Sequence, residues 1–203
     1  MPSHAAALPL KEACVRAAHE VIAEHGVERL SLRDVARRLG VSHQAPYKHF
    51  ASRDHLLAEV IRRCFEDFAA ALDARPRQAD PHADLGALGR AYLAYAAAHP
   101  LEYRLMFGTP WPEPAQHPAL VRDATHALDV LREVLRRVHG AGAGQRATVD
   151  RDAMFIWSTM HGLAAITSTP VMEHLALAPG VARATPEHVL AMIGRAMDAA
   201  PRP

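Results

Sequence analysis

Apolar side chains recur along this chain every three to four residues, and no segment keeps the strict alternation of a half-buried strand. The pattern predicts an all-α protein. Cys14, Ala17, Ala18, Val21 and Ile22 form one stripe, which predicts a first helix over residues 9–25 with Gly26 as a left-handed stop. Ser31 and Asp34 form a capping-box-like pair that opens a second helix, with Leu32, Val35, Ala36 and Leu39 turned inward. Gly40 and Val41 then turn the chain. Ser42 is placed to cap a short third helix reaching about residue 49, and Pro46 falls where a missing N–H costs little. Ser52 caps a longer helix to about residue 74, carried by Leu56, Leu57, Val60, Ile61, Phe65, Phe68 and Leu72.

The stretch 75–82 is rich in proline and charge and is the best linker. Further helical patterns lie at residues 84–99, 100–107, 119–139, 149–167 and 185–199. The loops between them include 108–118 with four prolines, the glycine-rich 140–144, and 169–184, which has room for a helical turn near 171–175.

Composition narrows the class. With 203 residues, 50% hydrophobic and 22% charged, the chain can bury a real core and is not expected to be disordered. Cys14 and Cys64 cannot make a disulfide framework and read as small buried hydrophobes in a reducing compartment. The first ten residues lack a basic segment followed by an apolar one, so no signal peptide is expected. Residues 153–172 carry no Asp, Glu, Lys or Arg, but Ser158, Thr159, His161, Gly162 and Thr167 make them too polar for lipid. A cytoplasmic protein with no membrane partner is the expectation.

The net charge of +1 excludes a uniformly basic DNA coater. Its distribution is uneven. From Arg29 to Arg53 the balance is +5 in 25 residues, while the other 178 carry −4. That basic window coincides with a helix–turn–helix pattern, whose last helix exposes His43, Gln44, Tyr47, Lys48 and His49. Such groups can meet base edges and phosphates in a major groove.

Three runs make the pattern specific: Leu30-Ser-Leu-Arg-Asp-Val-Ala-Arg-Arg-Leu-Gly-Val-Ser42, Tyr47-Lys-His-Phe50 and Ser52-Arg-Asp-His-Leu-Leu57. Together they closely resemble the tetracycline-repressor (TetR) family of bacterial transcription regulators, over about residues 14–57. The resemblance implies a helix–turn–helix domain over residues 1–55, joined by the helix at 52–74 to a ligand-binding and dimerisation domain over 56–203. It implies that Ser42 caps the reading helix and touches a phosphate, and that His43, Gln44 and Ala45 face base edges. Gln44 suits a bidentate contact to adenine, and Ala45 an apolar contact to a thymine methyl. Tyr47, Lys48 and Arg53 would grip phosphates, Lys48 alternatively a base, and Arg33 the backbone or a neighbouring base. Arg53 stands where the family usually has lysine. His49 is either a phosphate donor or a packing residue, and Phe50 belongs to the core.

A second signature lies further on. Trp157-Ser-Thr-Met-His161-Gly162, with Tyr92-x-x-Tyr95, His99-Pro100 and Tyr103-x-x-Met106-Phe107, resembles a TetR subgroup with a Trp-His-Gly C-terminal domain. Met154, Trp157, His161 and Ala164 share one helix face, which either lines a pocket or is plain core. Tyr92, Tyr95, Tyr103, Phe107 and Trp111 are the other pocket candidates. Gly162 is expected to permit close helix approach. The resemblance implies a homodimer through the last two long helices, for which Val189, Leu190, Ile193, Gly194 and Met197 are available. Its two reading heads would stand roughly 34–36 Å apart.

The function so implied is a ligand-responsive, sequence-specific regulator of transcription, a repressor released from operator DNA by a small molecule. Two other classes compete. A helical protein-interaction module would keep the helix–turn–helix for packing alone. For an enzyme the sequence offers no nucleophile elbow, phosphate loop or dinucleotide fingerprint. The histidines at 43, 49 and 55 are six apart, which does not suit a single-face metal pair. No cofactor or metal is expected.

Overall fold

In the computed structural model, which describes residues 8–140, 145–169 and 174–199, eight α-helices carry the fold. They are α1 (Leu10–His25), α2 (Leu32–Leu39), α3 (Arg53–Asp73), α4 (Pro81–Ala98), α5 (Pro100–Phe107), α6 (Pro118–His139), α7 (Gln145–Thr167) and α8 (Val181–Ala199). The chain divides into two compact units. The first holds the described residues up to Glu66 together with Arg104–Ala124; the second holds Asp67–Tyr103 and the described residues from Thr125 onward. The helix–turn–helix segment lies wholly within the first. The expected loop at 140–144 and helical turn near 171–175 fall mostly outside the described residues.

The first unit is built on the predicted stripe. Cys14, Ala17, Ala18, Val21 and Ile22 are buried, and Leu30, Leu32, Val35, Ala36, Phe50, Leu56, Leu57 and Ile61 close over them. Each large aliphatic side chain so buried contributes about 1.5–3 kcal/mol. Leu39, expected inside, is only half-buried. Gly26 ends α1 with φ 83° and ψ 165°, so its φ is positive as expected but its ψ is extended rather than left-handed helical. The chain continues into a 3₁₀ turn at Val27–Arg29.

Ser31 caps α2 as predicted: its hydroxyl accepts from Asp34 N at 3.1 Å and donates to the Asp34 carboxylate. Gly40 is left-handed (φ 65°, ψ 27°). Its N–H donates to Arg37 O at 3.2 Å, and Val41 N donates to Ala36 O at 3.1 Å. This is a Schellman turn, and the positive φ explains the glycine.

The second unit packs α4 against α7 and α8. Leu85, Leu88, Tyr92, Val134, Leu135, Ile156, Met160, Leu163, Leu190 and Ile193 are buried there. Asp80 caps α4, accepting from His82 N and Ala83 N. The expected linker is not a loose tether. Asp84 is fully buried and accepts from Arg75 at 3.3 Å, from Arg137 at 2.5 Å and from Gln78 N at 3.2 Å. Arg137 also donates to Gln78 O and Ala79 O. The stretch is therefore pinned by the ionic groups at either end of it.

Candidate functional site

The reading segment is shorter than predicted. Residues 43–45 form a turn, and only Pro46–Lys48 are helical, as a single 3₁₀ turn. Its N-cap is Ala45, not Ser42, and Ala45 makes no side-chain cap. Pro46 is the physical reason. It has no N–H to donate to Ser42 O, so the bond that would start an α-helix there cannot form. The chain instead makes tight bonds, Ala45 N to Ser42 O at 3.0 Å and His49 N to Pro46 O at 3.0 Å. The Pro46 ring and Phe50 are buried beneath the turn.

What the turn presents outward is Ser42, His43, Gln44, Tyr47, Lys48 and His49, all exposed, with Ala45 half-buried. His49 thus stands on the solvent side of its two alternatives. Tyr47 is 52% exposed, a large aromatic ring with little intramolecular packing to hold it. Arg33 is exposed on the first turn of α2. An open cleft lined by Ser31, Leu32, Arg33, Tyr47, Ala51, Ser52 and Arg53 separates α2 from the reading turn.

Arg53 departs from expectation. Its Nε donates to Leu30 O at 3.1 Å, its Nη2 to Val27 O at 2.7 Å and its Nη1 to Asp54 at 3.2 Å. The guanidinium is committed to its own chain rather than presented to a phosphate. The local charge is also lower in space than along the sequence. Arg38 pairs with Glu24 and Glu20 of α1, and Arg37 with Asp34. Arg29, Arg33 and Lys48 are the exposed cations that remain. Glu20 and Glu24 precede the counted window, so no linear tally includes them.

In the second unit the candidate pocket residues separate into two kinds. Trp157, Tyr92, Tyr103 and His161 are linked by hydrogen bonds. The Trp157 indole bonds the Tyr92 hydroxyl, which lies 2.6 Å from that of Tyr103. The Tyr103 hydroxyl lies 2.7 Å from His161 Nδ1, and the two rings stack at 5.6 Å. An indole only donates, so the Tyr92 hydroxyl accepts from Trp157, and the hydrogen bonds run on through Tyr103 to His161. Burial raises Tyr92 far above the usual phenol range and pushes Tyr103 up to about 12, the Tyr92 bond opposing in the latter case. Both hydroxyls are therefore neutral donors and acceptors.

The other candidates are placed elsewhere. Tyr95 is buried against Phe68 and His99. Phe107 and Trp111 belong to the first unit, where both pack edge-on to Phe65 and the Trp111 indole donates to Met106 O at 2.9 Å. Met154 is half exposed, on the outer side of α7.

The expected dimer residues also need correction. Leu190, Ile193 and Met197 are buried within their own chain, while Val189 and Gly194 are half-buried. The close helix approach is made at Gly89, not Gly162. A Cβ at Gly162 or Gly194 would meet nothing within 4 Å. Among the described residues, the large apolar side chains that α7 and α8 leave exposed are Met154, Phe155, Ile166, Val181 and Met192. Phe155 and Ile166 escaped the sequence reading, although a helix apolar on more than one side was the available signal. Among the described residues, no helix is long and apolar enough to cross a membrane.

Two family models match the chain. Residues 85–193, more than half of the chain, match a family model described as the tetracyclin repressor-like C-terminal domain, and residues 15–60 match bacterial regulatory proteins of the tetR family. An HTH-type transcriptional regulator of Mycobacterium tuberculosis is 37% identical over 93 residues, 44% of this chain and 39% of the relative, so the match spans well under half of that protein. Among solved structures, a protein of unknown function from Rhodococcus sp. RHA1 superposes with a TM-score of 0.73 at 26% identity, covering 100% of both chains. A transcriptional regulator from the same organism gives 0.68 at 26% identity, covering 95% of this chain and 100% of that one.

Proposed function

The chain belongs to the TetR family of bacterial regulatory proteins, and we propose that it acts in the cytoplasm as a homodimeric repressor, released from operator DNA by a small molecule. The observation that carries the DNA-binding reading is the reading turn. Four consecutive exposed or half-buried positions, Ser42 to Ala45, and then the buried Pro46 precede Tyr47, Lys48 and His49, all open to solvent. A turn kept only for packing would not spend a half-exposed tyrosine and a lysine on its outer side. In this reading Gln44 and His43 meet base edges, with Ala45 at their side. Ser42, Tyr47, Lys48, His49 and Arg33 meet phosphates or the neighbouring base.

The hydrogen-bonded group Trp157, Tyr92, Tyr103 and His161 supports an effector site in the second unit. Tyr103 and His161 are only half-buried, so their polar atoms are not sealed in a core. An effector that bonds this group in one dimer conformation and not the other would bias the spacing of the two reading heads, and operator DNA would weaken effector binding by the same factor. The dimer is supported by the exposed Met154, Phe155, Ile166 and Met192 on α7 and α8, which a second copy would cover about a two-fold axis. No step of this activity calls on catalysis.

The deciding experiment is selection of bound sequences from random duplex DNA by the full-length protein, followed by titration across a salt series. A palindromic motif bound with steep salt dependence is the expected result. Binding that neither selects a sequence nor responds to salt would remove the proposal, and repetition with candidate small molecules identifies those that release the DNA.

A further inference from the structure

We propose that Arg53 is a positioning residue for operator reading, a brace that holds the N-terminus of α2 against the reading turn; this rests on the DNA-binding role proposed above. Val27 opens the 3₁₀ turn that leads into α2, Leu30 caps its end, and Leu30 immediately precedes Ser31, the cap of that helix. Arg53 is the first residue of α3 and follows the reading turn by four positions. One side chain therefore ties the start of α3, into which the reading turn leads, to the segment that leads into α2, and Arg33, Tyr47 and Arg53 line one cleft.

The chemistry needs an arginine. Nε and Nη2 form one edge of a rigid planar fork, and here that edge meets two backbone carbonyl oxygens, Leu30 O at 3.1 Å and Val27 O at 2.7 Å. Val27 O already accepts from Leu30 N at 3.1 Å, so the guanidinium seals the turn that sets the start of α2. Lysine, a single ammonium on a flexible stem, keeps the charge but cannot reproduce the paired contact. With the fork lost, the gap between Arg33 and Tyr47 is no longer fixed. The reading head then loses the single register that a specific operator requires, whereas phosphate contacts to random duplex, which need no one register, tolerate the change.

The test uses full-length R53K and R53A beside the wild type, each confirmed folded by circular dichroism. Each is titrated with the selected operator and with random duplex over a salt series. The brace predicts that R53K loses about tenfold in operator affinity, the loss of hydrogen bonds to a charged group. Its affinity for random duplex and its salt slope stay at wild-type values, and amide exchange at residues 27–31 quickens. A side chain of purely structural value would lower the melting temperature and leave the operator-to-random ratio unmoved, which overturns the proposal. So does R53K binding operator like the wild type while R53A loses about 0.9 in salt slope, the mark of a direct phosphate contact. If the wild type shows no operator preference, the regulator reading fails and the positioning role falls with it. Failure of the brace alone is seen only in a protein that does select DNA.

Discussion

A methyl group on Gly89 would stand 2.3 Å from Leu190 Cδ2, closer than any two carbon atoms can pack. Glycine at this point of α4 is what admits the buried Leu190 of α8. Gly89→Ala is expected to destabilise the protein by about 1–3 kcal/mol through overpacking, more than the ~0.5–1 kcal/mol that alanine gains in a helix interior. Thermal unfolding reads this directly. Adding Leu190→Ala should make the Gly89→Ala step far less costly, and strict additivity of the two changes would refute the contact.

Asp84 carries a second stability prediction. Its burial opposes ionisation, but the Gln78 backbone N–H and the Arg75 and Arg137 guanidinia outweigh that and hold the carboxyl below its ordinary 3.8. The stabilisation is therefore present above pH 3.8 and is lost as the pH falls below it through the lower folded value. Asp84→Ala leaves Arg75 buried without its partner and should cost about 3–5 kcal/mol in urea unfolding at pH 7. Its acid limb below pH 3.8 should also be shallower than the wild type's.

His117 acts in the opposite range. Its buried ring lies edge-on to His55 at 4.9 Å. Burial, and then the neighbouring His55, push its pKa below 6.5 against the pull of Asp54. The unfolded chain takes up this proton more readily, so stability is lost as the pH falls from 6.5 through the folded value. Denaturant titrations between pH 7.5 and 5, an interval set roughly by the span over which histidine ordinarily titrates, should show a steeper loss in the wild type than in His117→Gln. Equal slopes would contradict the assignment.

For DNA, two neighbouring side chains should fail differently. Gln44→Ala is expected to cost about 1–3 kcal/mol on the preferred operator and to relax selectivity at one base pair. Lys48→Ala should weaken binding to every sequence and lower the salt slope by about 0.9 if it meets a phosphate. A Gln44→Ala protein with unchanged selectivity would place base reading elsewhere.

The dimer proposal turns on Phe155, 46% exposed on α7. Phe155→Arg buries nothing new within the chain and should leave the monomer's fold intact while placing a charge in an interface. Light scattering after gel filtration should then report the monomer mass. A dimer that survives would move the interface away from this face.

Periodicity reveals which residues are helical because burial of one face repeats with the turn of the helix. It therefore found α1, α2, α5 and the Ser31 cap with little error. It does not reveal which of two apolar faces meets its own chain. Leu190, Ile193 and Met197 looked available for a partner and are core, whereas Phe155 and Ile166 are the ones left outside. Gly162 and Gly89 are alike in sequence, and only the position of Leu190 distinguishes them. The intrachain bonds of Arg53 were invisible for a related reason: its acceptors are main-chain oxygens, which no side-chain pattern records. The Trp157 and His161 signature marked a shared helix face, but not the hydrogen bonds that join it to Tyr92 and Tyr103, nor the packing of Tyr95, Phe107 and Trp111 elsewhere.

The ionic knot at Asp84 also governs how this regulator can be recombined. A chimera that grafts another reading head onto the C-terminal unit would naturally be spliced in the proline-rich stretch at 75–82, where the sequence looks most permissive. That junction would replace Arg75 while leaving Asp84 and Arg137 behind, and the graft would inherit a buried carboxylate lacking one of its two cations. A splice upstream of Arg75 keeps all three charged groups together on the grafted side.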